Sequence, residues 1–410
     1  MNVAYCSLLL PEEKNLSERT RERLSGISIH KVSMATIKGI DENLGKSLDI
    51  FNIINTVNFP KFPQLIFFTE DWNHSKQSDH RDYHIGYINL FGIKYISQFW
   101  GQYHYLSKWV KKCEGNCIIC IHHIYLPSMM AAVKIRKKYG YKVKICLNTG
   151  DVPGNYGLQS QFKKNIKQLL TEIIVENSIM KLAKNFDCFV FVTKEMAKAF
   201  GVEHKPYTVV ECVYTEPNYA KNLEIIDSKL KIIFYAGSIR KEYGIDHLLR
   251  AFSLIKDQEY RLVIAGGGAD EELVKFYEGN DKRIKFLGFI TPQEVLKQQL
   301  SSHVLVSPRQ SNYEYVKYSF PSKAVDSLAS GIPYVAHRLP CDPPEYAAYI
   351  NYPYDESDEA LKEKLVEICN LSFAERKAMG EKAKKFICDE KNPMEVTKGI
   401  VHMWKTIWEG

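Results

Sequence analysis

Residues 319–336 read SFPSKAVDSLASGIPYVA, an order of residue types that writes a helix start, a short helix, a stop and a buried strand. Pro321 belongs in a first helical turn, where a missing N–H costs nothing. Gly331 suits the exit from the helix, where positive φ is needed. Ile332 to Ala336 is apolar and β-prone, with Pro333 near the strand start. Ser322 and Lys323 bring a hydroxyl and an ammonium to the free N–H groups of the helix start, which makes an anion site. Asp326 follows one turn later, and helix side chains lean toward the N-terminus. A carboxylate there can accept hydrogen bonds from a ribose whose phosphate sits at the helix mouth. The same residues also fit an ordinary capped helix in an α/β domain.

With Ser319, Phe320 and Pro321 leading in, FPSK, an acid and LASG-P resemble the donor-binding helix of glycosyltransferase family 4, above all its bacterial capsular and exopolysaccharide enzymes. The likeness is strong over about residues 230–350 and weak over the first 220. It implies a retaining enzyme of the GT-B fold, in which two facing Rossmann-like domains hold a nucleotide-diphosphate sugar, here expected to be uridine-linked. The family pattern is Glu, seven residues, Glu; this chain has Tyr318 at the first position and Asp326 at the second, and Glu314 stands in the preceding loop.

Two further segments extend the resemblance. AGSIRKEYG, residues 236–244, lies between an expected strand and helix. Gly237 and Ser238 allow close backbone approach, and Arg240 and Lys241 carry charge to neutralise a diphosphate. Gly266 and Gly267 begin the run GGGADE on the second strand of their domain, which is not the placement of a dinucleotide fingerprint. They read as a turn where backbone nears the donor. Phe289 and Ile290 occupy the position at which the family contacts the base through its backbone. Pro308 and Arg309 end the next strand at the same sheet edge, where ligands of open α/β sheets collect. No D-x-D pair occurs, so no metal ion and no other cofactor is expected.

Strand and helix patterns alternate throughout, which gives an α/β chain with largely parallel sheets. The expected layout is an acceptor domain at 1–220, a donor domain at 221–392 and a final helix at 393–410 that, by the resemblance, returns to the first domain. In the first half, strands are expected at 2–9, 64–69, 117–121, 142–147, 188–192 and 207–211, with helices at 101–112, 127–139, 158–184 and 194–200. Residues 70–98 read as loops and short strands on the acceptor side. His122 or His123, closing the strand at 117–121 and resembling the first-domain His of many family 4 enzymes, and Asp151, in the loop after the strand at 142–147, are the catalytic candidates, placed to take or orient an acceptor proton.

Seven of the ten cysteines are scattered, as in a reducing compartment. Cys113, Cys117 and Cys120 have the spacing of an iron–sulfur motif, but CIICI reads as a buried strand whose alternation sends Cys117 and Cys120 to opposite faces. No apolar run is long enough to span a membrane, and the N-terminus lacks a signal-peptide pattern, so a cytoplasmic protein is expected. Residues 1–220 hold 28 Lys and Arg against 20 Asp and Glu; the remainder holds 27 against 28. The basic first half, with aromatic and cationic stretches at 99–112 and 134–144, suits an anionic partner at the inner face of the plasma membrane. No nucleic-acid module is present. Taken together, the residues and the resemblance imply a transferase that moves a sugar to a glycan or polyprenyl-linked acceptor in polysaccharide synthesis. The alternatives are a nucleotide-sugar 2-epimerase of the same fold and a non-catalytic nucleotide-sugar-binding homologue.

Overall fold

The computed structural model describes residues 1–9, 27–75, 82–154, 166–220 and 223–409. Parts of the expected helix at 158–184, of the stretch at 70–98 and of the loop at 148–160 lie outside the described residues. The chain divides into two units, Met1–Val213 with Pro393–Gly410, and Tyr214–Asn392.

In the first unit the strands are β1 (Asn2–Ser7), β2 (Asp49–Asn52), β3 (Ile66–Phe67), β4 (Glu70–Trp72), β5 (Asp82–His84), β6 (Tyr87–Ile88), β7 (Cys117–His122), β8 (Val143–Thr149), β9 (Cys188–Phe191) and β10 (Tyr207–Val209). Its described helices are α1 (Ile27–Leu44), α2 (Ile93–Lys112), α3 (Leu126–Tyr139), α4 (Ile166–Ala183) and α5 (Glu195–Phe200). The main sheet runs β10-β9-β8-β7-β1-β2-β5-β4, and β3 pairs with β6 in a separate antiparallel ribbon. Pairs in the main sheet are parallel except β4 with β5. Every residue of CIICIH in β7 is buried, as parallel strands covered on both faces require.

Helix α1 and strand β2 were not expected from the sequence. Buried strand β2 reads DIFN, too short and too mixed to show a period. Helix α2 starts at Ile93 rather than 101, because Gly92, at φ 79°, supplies the turn into it.

The second unit contains β11 (Lys231–Ala236), α6 (Ile245–Ser253), β12 (Tyr260–Ala265), α7 (Glu271–Asn280), β13 (Ile284–Phe286), α8 (Pro292–Leu300), β14 (Val304–Ser307), α9 (Ser322–Ala329), β15 (Tyr334–Ala336), β16 (Ile350–Asn351), α10 (Asp358–Asn370) and α11 (Phe373–Glu390). Its sheet runs β13-β12-β11-β14-β15-β16, all parallel. The strand order reverses between β11 and β14, and such a switch point opens a crevice at the carboxyl ends of the strands.

The last helix, α12 (Pro393–Thr406), belongs to the first unit. Ile400, Val401, Met403 and Trp404 are buried in one cluster with Val3, Tyr5 and Ile37. Asn43 on α1 donates to the Met394 carbonyl at 2.7 Å and to Thr397 Oγ1 at 2.9 Å. A Cβ on Gly39 would stand 2.0 Å from the Pro393 carbonyl oxygen, so α1 and α12 meet backbone to backbone.

Candidate functional site

At the carboxyl ends of β11, β12 and β13, three loops are tied together by backbone hydrogen bonds. Gly237 N–H donates to the Ala265 carbonyl at 3.0 Å, Ile239 N–H to Gly267 at 3.0 Å, and Gly266 N–H to Gly288 at 2.8 Å. Gly266 lies at φ 133°, and a Cβ there would stand 1.8 Å from the Gly237 carbonyl oxygen. The triple-glycine run therefore serves loop-to-loop contact as well as an open surface. Beside these loops lies a cavity of about 260 Å³. Its lining includes Gly237, Ser238, Gly266, Gly267, Phe289, Ile290 and Lys323, together with Ala236, Ala265 and Val295.

Helix α9 delivers Lys323. Pro321 is the N-cap, one position ahead of the first turn expected for it, and no side chain caps the helix. The Ala324 N–H donates to the Pro321 carbonyl at 2.8 Å. An α-helix leaves its first amides without intrahelical partners, so this end carries partial positive charge beside Ser322 and Lys323, both exposed. Lys323 keeps an accessible surface toward the cavity, yet neighbouring protein strips water from it. That desolvation lowers its pKa, and the charge of Asp326 opposes the shift. Asp326 is exposed one turn along the same helix.

The remaining donor-site candidates are placed as follows. Arg240 is half-buried, and Lys241 is exposed with its N–H donating to Asp270 at 2.9 Å. Neither lines the 260 Å³ cavity. Tyr318 donates to Glu314 at 3.5 Å, which brings together the two residues weighed for the family's first acid. A hydrogen bond from Lys317, 2.9 Å away, lowers the pKa of Glu314. Ser319 accepts from the Cys341 thiol through its carbonyl. Phe320 is buried against Tyr346, with ring centroids 5.1 Å apart, so its side chain belongs to the core. Arg309 is buried at 5% exposure, its guanidinium 4.6 Å from the Tyr315 ring centroid.

In the first unit, His122 is a core group. Its Nδ1 is 2.7 Å from the Tyr5 hydroxyl and 3.0 Å from the Ser33 hydroxyl. Burial and neighbouring His123 hold it well below its usual pKa. His123 stacks on it at 4.0 Å and lies at φ 72°, unusual for a residue with a Cβ. Burial lowers its pKa to about 4, and its buried Nε2 has no hydrogen-bond partner among the described residues. Backbone strain and unsatisfied buried polar atoms are features that cluster at functional sites. Asp151 has exposed area, its N–H bonds Thr149 Oγ1 at 3.1 Å, and desolvation raises its pKa.

Cys117 and Cys120 lie within buried β7, and among the described residues no group of three His, Cys, Asp or Glu is arranged to hold a metal ion. The sequence reading missed Val295 on the cavity wall and the Tyr5–Ser33 support of His122. Both depend on contacts between elements far apart in the chain, which no local pattern states.

Residues 220–386 match the family model described as glycosyl transferases group 1. An uncharacterized glycosyltransferase of Methanocaldococcus jannaschii is 29% identical over 126 residues, and this chain spans 30% of its length and it 30% of this chain. The whole fold is similar to that of sucrose-phosphate synthase from Thermosynechococcus elongatus, with a TM-score of 0.61 and 16% identity, covering 100% of this chain and 99% of that one. An E. coli trehalose-6-phosphate structure bound with UDP-2-fluoro glucose gives a TM-score of 0.60 at 11% identity, covering 100% and 99%. Staphylococcus aureus TarM in complex with UDP, alpha-GlcNAc-glycerol and Fondaparinux gives 0.57 at 11%, covering 100% of both chains. The fold is that of the GT-B glycosyltransferases.

Proposed function

We propose that the protein transfers a sugar, with retention of configuration, from a nucleotide-diphosphate sugar to a hydroxyl of a glycan or polyprenyl-linked acceptor in polysaccharide synthesis. The observation that carries this reading is the second unit's cavity, where Lys323, from the start of a helix without a side-chain cap, faces the glycine loops after β11 and β12 and the Phe289–Ile290 turn after β13. A diphosphate there receives backbone N–H groups, the Ser322 hydroxyl and the Lys323 ammonium, with Arg240 and Lys241, further along the loop after β11, adding positive charge from outside the cavity lining. Asp326 accepts from the ribose, and the backbone around Phe289 and Ile290 faces a uridine base. Glu314, with Tyr318, serves the donor sugar.

In the reaction, the bond from the anomeric carbon to the diphosphate oxygen breaks and a bond to the acceptor oxygen forms on the same face. The leaving phosphate takes the acceptor's proton. Charge developing on that phosphate is met by fixed donors, so no metal ion is needed. His123 or Asp151 orients the acceptor hydroxyl from the first unit. The work takes place at the inner face of the plasma membrane, where such acceptors are carried.

The test is calorimetric titration with UDP and UDP-sugars, followed by product analysis with lipid-linked acceptors in the presence of EDTA. Saturable binding and acceptor-dependent transfer support the reading. A sugar altered without acceptor indicates an epimerase, binding without any turnover indicates a non-catalytic homologue, and no nucleotide binding ends the proposal.

A further inference from the structure

The N-terminal half of α2 is inside out. A surface helix normally turns its apolar stripe inward. Here Lys94, Gln98 and Gln102, four residues apart, form the buried row, both glutamines at 0% exposure. Ile93, Ile96 and Trp100 face outward, Ile96 at 60% and Trp100 at 52%. The inward groups are held in place: Lys94 donates to the Thr56 carbonyl, Gln98 accepts from the Tyr125 hydroxyl at 2.5 Å, and Gln102 donates to the Phe51 carbonyl at 3.2 Å. The outward apolar row is therefore fixed by the fold.

That row continues onto the β3–β6 ribbon. Ile66 and Ile88 are paired across it and both are exposed. The Ile88 N–H donates to Ser97 Oγ of α2 at 3.1 Å, which joins ribbon to helix. Phe91, in the turn between them, is 82% exposed, and Phe68 follows β3 almost as open. Beside this surface, α3 sets the Lys134 ammonium 4.4 Å from the Trp100 ring centroid and 5.0 Å from that of Tyr103. Lys137 and Lys138 are exposed on the same helix. No acidic residue occurs between 87 and 112 or between 126 and 142.

We propose that this face of the first unit docks on an anionic lipid bilayer. Phe91, Ile96 and Trp100 enter the boundary between headgroups and acyl chains, and the lysines of α3 meet lipid phosphates. Charge selects this partner: a second copy of the same face would set lysines against lysines. The inference rests on the membrane-borne acceptor of the reading above for its purpose. Its test uses neither donor nor acceptor, so the two fail separately.

The test is co-sedimentation of the full chain with phosphatidylcholine vesicles, with and without about one-third phosphatidylglycerol. The wild type partitions onto the anionic vesicles. The triple variant Phe91→Ser, Ile96→Ser, Trp100→Ser weakens partitioning by about tenfold or more, with melting temperature and UDP affinity unchanged. The pair Lys134→Gln and Lys138→Gln reduces the preference for anionic over neutral vesicles. Absence of wild-type partitioning overturns the proposal, as does equal partitioning of the triple variant. So does a sedimentation-velocity dimer that the triple variant abolishes while vesicle binding persists.

Discussion

Lys323 earns its place by position more than by type. A lysine on an open surface is fully hydrated, whereas this one sits at a helix N-terminus on the wall of a cavity and is partly desolvated. An ammonium held in that setting gains more from a diphosphate than it would in water, because less hydration remains to be lost on binding. Lys323→Ala is expected to weaken UDP binding by about a hundredfold, within the range for truncating one partner of a desolvated charge pair. Calorimetry reads this out, and a loss of less than about threefold would remove the residue from the site. Gly266 makes the complementary case for backbone. Its positive φ and the Gly237 carbonyl beside it exclude any Cβ without movement of both loops. Gly266→Ala should cost about 3 kcal/mol or more in urea melts; an unchanged midpoint would mean that the loops give way freely.

At the scale of elements, side chains distant in sequence bind helix to strand. His74 donates from Nδ1 to Asp82 of β5 at 2.6 Å and from Nε2 to Asp41 of α1 at 3.0 Å. Burial works against its charge, yet the bonds to Asp41 and Asp82 outweigh it and raise its pKa from 6.5 to about 9. A folded pKa above the unfolded one stabilises in full below the unfolded value, and the contribution fades as pH rises through the folded value. Here that means about 3 kcal/mol near pH 6, shrinking steadily as pH rises past about 6.5 and nearly gone above pH 9. Urea melts of the wild type and His74→Gln across about pH 6 to 10 should converge at the alkaline end; a gap constant with pH would show that the imidazolium is not the source. Helix α12 closes the first unit's core in the same long-range way. Trp404 is fully buried there, so Trp404→Ala should destabilise by about 3–5 kcal/mol. A melt within 1 kcal/mol of wild type, measured with about that precision, would place α12 outside the cooperative unit.

The chain folds into two units, each with its own core. Val3, Tyr5 and Trp404 belong to one, and Ile233, Leu262 and Val304 to the other. A nucleotide that binds only the second unit stabilises that unit, by about 2.7 kcal/mol at a concentration a hundredfold above its dissociation constant. Hydrogen exchange with UDP present should therefore slow chiefly in the loops after β11, β12 and β13 and at the start of α9. Protection confined to the first unit would move the nucleotide site there. Sequence alone determined the second unit well, because its strands are apolar runs, its helices have clear starts, and Ser322 and Lys323, the residues proposed to bind the anion, are neighbours on one helix. The first unit was less legible: β2 is four residues long, and α2 hides Gln98 while exposing Ile96, the reverse of what periodicity implies. Phe320, expected at the donor, turns its ring into the core against Tyr346, which no local pattern states. Local patterns fix what each segment can become, since helix and strand preferences act over a few residues. Which polar groups are drawn inside, which glycine meets which carbonyl, and which loops share a cavity depend on contacts between residues far apart in the chain, and only the folded arrangement decides those.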